Sequence, residues 1–357
     1  MKARKMVWLS TVSAYKMGYE KAIEELSHMK IDEIFMLAVN NSGPLYPSKV
    51  RPQPKELKGK DLLTPLIKLA HKEGMKVHAW IVTMNFPNEE FIREHRDLYI
   101  INKLGVSCVD DPPYVKHYMW LCPSSEEVTK NVVDLFLEVV SQFDVDGLHF
   151  DYIRYPDLVL PEGLRDRYEG VPQEEVILPR FDYCYCQRCR SLFKEEHGVD
   201  PVNLKYLEPL YGVWFKWRSQ RITNLVKRVY SEVKKYDNKL EVSAAVFATP
   251  ELAYRYVLQD WPSWGIDFYN PMIYHKYYMK SSSWIGEAVK EGVLRGVEVN
   301  AGILIGFMES EEELVNSFLN AMDNGATGIC VFVYPPPRPE LKEWVEKAFS
   351  ELEKRSS

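Results

Sequence analysis

Eight times along the chain, a short apolar run rich in β-branched and aromatic residues leads into a longer segment with helical periodicity. KMVWLST precedes YEKAIEELSHM, DEIFMLAVN precedes DLLTPLIKLAHKEG, and KVHAWIVTM precedes SSEEVTKNVVDLFLEVVSQF. The fourth run, VDGLHFDYIRYP, reaches its helix only after a long insertion; LEVSAAVFA, IDFYNPMIY, VNAGILIG and GICVFVY then complete the series. Unbroken strand–helix succession predicts the α/β class and one (β/α)8 TIM barrel domain over residues 1–357, with an insertion at about 157–189 after strand four. A doubly wound open sheet is the competing topology, but the first strand–helix turn has no glycine-rich phosphate loop. Helix boundaries carry their own signals. Ser124 with Glu127 and Ser310 with Glu313 have capping-box spacing, and Gly74 and Gly325 stand where a left-handed helix stop is expected.

The irregular stretches 41–60, 85–123 and 157–189 all follow strands, which puts them at the C-terminal mouth of such a barrel, where active sites of this fold are built. A net charge of −6 offers no basic stripe for a phosphate backbone, so nucleic acid is excluded as the expected partner. The opening MKARKMVWLSTVSAY has too brief an apolar run for a signal peptide or a membrane span, so a cytoplasmic protein without a membrane partner is expected. Six cysteines in a chain of this length make no disulfide framework. Three of them crowd into CYCQRC, where Cys186 and Cys189 have zinc-knuckle spacing. Cys184, with Cys122 or His197, would complete a structural zinc site, and buried unliganded thiols are the alternative.

Strand parity places the chemistry. In strand four Leu148, Phe150 and Tyr152 share the face that packs on helices, which points His149 and Asp151 inwards, Asp151 nearer the mouth. Asp151 is the leading catalytic candidate, its structural alternative being an ion pair with Arg154. Asp146 is read as holding the strand entry through backbone hydrogen bonds. Asn40, Trp80, Arg154, Tyr155, Asn270, Tyr274, His275 and Tyr334 are expected to join His149 in a cup of rings, amides and cations that suits a sugar, whose apolar faces stack on aromatics while its hydroxyls seek polar partners.

DGLHFDYIRYP followed by NPMIY resembles the glycosyl-hydrolase-like 10 family of (β/α)8 proteins over nearly the whole chain. The resemblance implies a hydrolytic barrel, with cell-wall glycan as one substrate class of that family. More distantly, the same segments are similar to the DGxDxDxE and MxYD motifs of family-18 chitinases. In those enzymes the motif's Glu is the general acid, the preceding Asp steers the substrate's N-acetyl group and the Tyr helps to hold it. Here His149 stands for the middle Asp, Ile153 for the acid Glu and His275 for the Asp after Tyr, so only Asp151 and Tyr274 carry over.

The expected function is therefore hydrolysis of O-glycosidic bonds in a poly- or oligosaccharide by carboxylate chemistry, with no cofactor required. Such chemistry needs two carboxyl groups. Glu309, after strand seven and across the barrel from strand four, is the expected second, with Asp260, Asp110 and Asp111 in reserve. Two alternatives stand beside it. One is a metal-dependent barrel hydrolase using His78, His149, Asp151 and His275; the other is a non-catalytic carbohydrate-binding barrel.

Overall fold

In the computed structural model, which describes residues 3–356, eight parallel strands close on themselves. They are β1 (Arg4–Leu9), β2 (Glu33–Asn40), β3 (Lys76–Val82), β4 (Gly147–Asp151), β5 (Glu241–Phe247), β6 (Phe268–Met272), β7 (Asn300–Leu304) and β8 (Gly328–Tyr334). Closure comes from β1, which pairs in parallel with β2 at Met6–Glu33 and with β8 at Arg4–Gly328. Each strand lies within one of the runs that the sequence marks, β1 starting one residue before its own, and the fold is the expected (β/α)8 barrel. A two-residue strand, Gly43–Pro44, folds back on the end of β2.

Helices cover the outside because the outward strand faces are apolar. Phe150 of β4 packs its ring 4.4 Å from Phe136 on the helix Glu126–Gln142. That helix is capped by Ser125, which accepts from the Val128 N–H, one residue later than the spacing of Ser124 and Glu127 predicts. Ser310 does cap the helix Glu311–Asp323 through the Glu313 N–H, and Gly74 and Gly325 take the expected positive φ of 75° and 97°. No described helix is long and apolar enough to cross a membrane.

The barrel interior is filled in layers. At the N-terminal end Arg4, Glu33, His78 and Glu241 form an ion network, while Trp8, Phe35 and His149 fill the middle. The Trp8 Nε1–H donates to His149 Nε2 at 2.9 Å, so the imidazole proton lies on Nδ1, 2.8 Å from Ser243 Oγ. Burial and nearby His78 push the His149 pKa well below its ordinary value, which keeps the ring neutral. Trp80 and Asp151 form the top layer. Beyond it the alternation stops: Tyr152 has φ +51°, so its ring does not continue along the helix-packed face but turns to the mouth. This departs from the parity expectation. A period-2 pattern holds only while the backbone stays extended.

Candidate active site

A cleft of about 520 Å3 opens at the C-terminal mouth. Its floor is Trp80, Asp151, Met272 and Phe332, and its walls come from all three long loops: Asn41 from the first, Tyr114 and Tyr118 from the second, and Asp157, Leu160, Leu164, Arg167 and Tyr168 from the third. Asp151 ends β4, where strand parity puts it. Its Oδ2 accepts from Trp80 Nε1–H at 2.9 Å and its Oδ1 from the Tyr152 N–H at 2.6 Å. Burial nevertheless raises its pKa, because those two donors and the charge of Arg154 offset only part of the desolvation. Tyr274 lines the cleft from beyond β6 with its ring 5.6 Å from Phe332; burial, then the charge of Asp151, drive its own pKa well above the phenol range.

Arg154 does not pair with Asp151. Its Nη1 donates to Asp157 Oδ2 at 3.1 Å and to the Tyr155 carbonyl at 2.9 Å, while the guanidinium lies over the rings of Trp120, Phe247 and Tyr152. Asn40 lines the cleft, its Oδ1 accepting from the Ser42 and Gly43 N–H groups. Asn40, Trp80, Asp151, Arg154 and Tyr274 thus converge on one cavity, as expected.

Other expected members do not reach it. His149 is committed to Trp8 and Ser243 one layer below. Asn270 is fully buried and accepts from Asn300 Nδ2; Tyr155 is buried against the cysteine cluster; Tyr334 donates to Glu25 on the helix side of β8. His275 packs edge-on against Phe307, away from the cleft. Glu309 is corrected most sharply. Its side chain is 79% exposed, accepts from Lys276 Nζ at 2.6 Å and lines no part of the cleft, since the segment after β7 turns outwards into the capped helix Glu311–Asp323. Asp110 and Asp111 pair with Arg96 and Arg180 on the outer surface, and exposed Asp260 precedes the turn Trp261–Ser263.

Asp157 is what the sequence reading missed. Among the described residues it is the one carboxyl group besides Asp151 on the cleft wall. Burial raises its pKa, opposed by Arg154. The signal was present in DYIRYPD, where an Arg–Asp pair at i, i+3 follows the catalytic candidate. Tyr114, Tyr118 and Phe332 were also missed as lining rings. Of the insertion's rings Tyr168 reaches the wall, whereas Phe181 and Tyr183 lie behind it: Phe181 stacks on Tyr114 at 4.4 Å and Tyr183 is buried. Asp146 holds the strand entry as expected, accepting from the Val77 N–H at 2.8 Å and facing His71 Nε2 at 3.0 Å.

The metal-hydrolase alternative finds no support in geometry. His78 is at the barrel base against Glu33, two layers from the mouth, and His78, His149, Asp151 and His275 do not come together. The cysteines do: Cys122, Cys184, Cys186 and Cys189 bring their sulfurs within 4.8 Å of one another. His197 is outside that group, its ring packed on Phe193.

Fold and site together define a (β/α)8 barrel with an aromatic-walled cleft, lined by two carboxyl and two guanidinium groups, at the carboxyl ends of its strands. Residues 3–317 match the model of the family described as glycosyl hydrolase-like 10, and the chain belongs to that family. It is similar to the glycosyl hydrolase DigH of Escherichia coli strain K12, 27% identical over 189 residues, a match covering 42% of this chain and 42% of the relative. The glycosyl hydrolase YngK of Bacillus subtilis strain 168 is 27% identical over 177 residues, covering 44% of this chain and 32% of the relative. The chain thus spans less than half the length of these curated relatives. Among solved structures it resembles the α-L-fucosidase isoenzyme 2 from Paenibacillus thiaminolyticus, with TM-score 0.68, 17% identity and coverage of 99% of this chain and 50% of that one. At that identity the likeness is one of fold.

Proposed function

We propose that the protein is a glycoside hydrolase that binds a saccharide in the cleft above Trp80 and uses Asp151 as its proton donor. The observation that carries this reading is a carboxyl group at the end of a barrel strand, buried and raised in pKa, within an aromatic-walled cavity of about 520 Å3. A raised pKa favours the protonated carboxyl, which can give its proton to the glycosidic oxygen as the bond to the sugar breaks. Asp157 takes the second carboxylate role expected of Glu309; the adjacent Arg154 guanidinium favours its ionised form and opposes the burial that raises its pKa. Rings such as Tyr118, Tyr168 and Tyr274 offer apolar faces to the pyranose. The family membership and the glycosyl hydrolase names of DigH and YngK support the same class of reaction.

The test is release of reducing ends from a panel of polysaccharides and aryl glycosides by the wild type, Asp151→Asn and Asp157→Asn. Wild-type turnover, lost in both variants while saccharide binding persists, is the expected result. Near-normal turnover by Asp151→Asn would remove the assignment. One observation favours a second reading: Asp157 is already bonded to Arg154, which leaves a single uncommitted carboxyl group and suits a sugar-binding barrel without catalysis. Saturable binding with no turnover on any glycan of the panel would establish that alternative.

A further inference from the structure

The four-cysteine cluster plays no part in the cleft chemistry, yet its geometry is specific. Cys122 closes the loop after β3, Cys184 and Cys186 lie in the insertion after β4, and Cys189 sits in the first turn of the helix Gln187–His197. All four are buried, and the Cys122 sulfur lies 3.7 Å from that of Cys186 and 3.5 Å from that of Cys189. A disulfide would require about 2.05 Å. Four sulfurs around one tetrahedral ion at about 2.3 Å stand roughly 3.8 Å apart. The observed spacing is that of a coordination shell.

The surroundings suit a cluster of negative sulfurs. Cys186 is the N-cap of an eleven-residue helix, so the positive end of that helix faces the cluster. The Cys186 N–H points to Cys184 Sγ at 3.4 Å, and Ser124 Oγ lies 3.3 Å from Cys189 Sγ, able to donate once that sulfur is ionised. Arg188, on the same helix turn, places its guanidinium beside Cys122 and Cys186. Four thiols gathered from two separate loops, with cationic and N–H groups turned towards them, have no purpose in apolar packing.

We propose that Cys122, Cys184, Cys186 and Cys189 bind one Zn2+ tetrahedrally, and that the ion clamps the second long loop of the mouth to the third. Each protonated thiol gives its proton to solvent as its Zn–S bond forms. All-thiolate tetrahedral coordination suits zinc, with mononuclear iron as the competing ion. The clamp bears on the cleft. Tyr155 is buried beside the cysteines and is preceded by Arg154 on the cleft wall; the two joined loops supply Tyr114 and Tyr118 on one side and Tyr168 on the other. The ion therefore fixes the distance between walls without touching substrate.

The experiment is metal analysis of the purified protein from medium holding both zinc and iron, followed by mercurial titration with a zinc-sensitive dye. About one equivalent of zinc, released as the thiols are modified, is expected. Chelation under denaturing conditions followed by metal-free refolding should lower Tm by roughly 10 °C or more, restored by added Zn2+. Co2+ refolded in its place should give the intense visible bands of a tetrahedral thiolate site. Cys122→Ser should lose most of the metal; since this variant can fail to fold, the mercurial titration of wild type carries the proposal by itself. Iron in place of zinc, or metal-free protein of unchanged Tm, overturns it. Neither readout depends on glycan turnover, so a failure here is separable from a failure of the hydrolase reading.

Discussion

The two ends of the barrel bury carboxyl groups in similar depth and treat them in opposite ways. At the base, Glu33 accepts from Arg4 Nε at 2.9 Å and Nη2 at 2.5 Å and faces His78 Nε2 at 3.1 Å, while Arg4 also reaches Glu241 at 3.0 Å. Burial alone would raise the Glu33 pKa, but hydrogen bonds from His78 and Arg4 and the charge of Arg4 outweigh it and hold it down to about 2. At the mouth, Asp151 has two neutral N–H donors and no bonded cation, and burial wins. At Glu33 and Asp151 the bonded counter-charge, not depth, sets the direction of the shift. The base is closed, with Arg4 seated 4.0 Å over the Phe268 ring, whereas the mouth keeps an open cavity.

The strongest way to break this contrast is to strip the base of its cation. Arg4→Met leaves Glu33 and Glu241 close together with only His78 between them and Lys76 on the Glu241 side, so unfolding free energy should drop by about 3 kcal/mol, the low end of the cost of breaking a buried ion pair. Chemical denaturation measures it, and a loss below about 1 kcal/mol would show the network to be ornamental. The pH signs of the two ends should also oppose. Glu33, depressed when folded, contributes stability that is present above its unfolded pKa and is lost as pH falls towards 2. Asp151 is raised when folded, so the native state holds the proton longer than the unfolded chain, and its contribution turns unfavourable as pH rises from the unfolded pKa through the folded one.

Asp151→Asn tests the mouth. It removes the transferable proton while keeping size, so kcat on a verified substrate should fall at least about 100-fold, near 2.7 kcal/mol, with binding largely retained. Its Tm should match or exceed wild type at neutral pH, with the difference shrinking as pH falls and the wild-type carboxyl takes up its proton. A lower Tm with intact turnover would make Asp151 a structural group like Glu33.

The barrel and the placement of Asp151 were legible in the sequence because they depend on periodicity. Strand alternation turned His149 and Asp151 inwards while the β4 backbone stayed extended. Legibility failed where the chain leaves regular structure. Tyr152 turns at φ +51°, and Glu309, on a segment that the barrel order places opposite β4, swings out to Lys276. Asn270 and Tyr334 have the right strand positions but the wrong depth or face, which periodicity does not resolve. Cys122 joined the CYCQRC cluster from 62 residues before Cys184, a closure that only the packing of two loops could select over His197.

A smaller effect sharpens the same contrast within the cleft. Tyr274→Phe deletes one hydroxyl in a cavity otherwise unchanged, and should cost about 0.5 to 1.5 kcal/mol in kcat/KM if the hydroxyl meets a neutral sugar oxygen. A cost above about 2.7 kcal/mol would mean that it faces charge developing in the transition state.

The smallest expected effect belongs to Glu309, and it separates position in the barrel order from position in space. Its carboxylate is exposed, held below the usual range by hydrogen bonding to Lys276, and lies outside the cleft wall. A surface pair of this kind is screened by solvent and contributes little to stability. Glu309→Gln should therefore leave kcat and kcat/KM within about twofold of wild type and leave Tm essentially unchanged. Asp157→Asn, measured alongside on the same glycan, should show a loss many times larger. If Glu309→Gln were instead to abolish turnover while Asp157→Asn preserved it, the segment after β7 would have to fold inwards over the substrate, and the second carboxylate would be the one that barrel order first suggests.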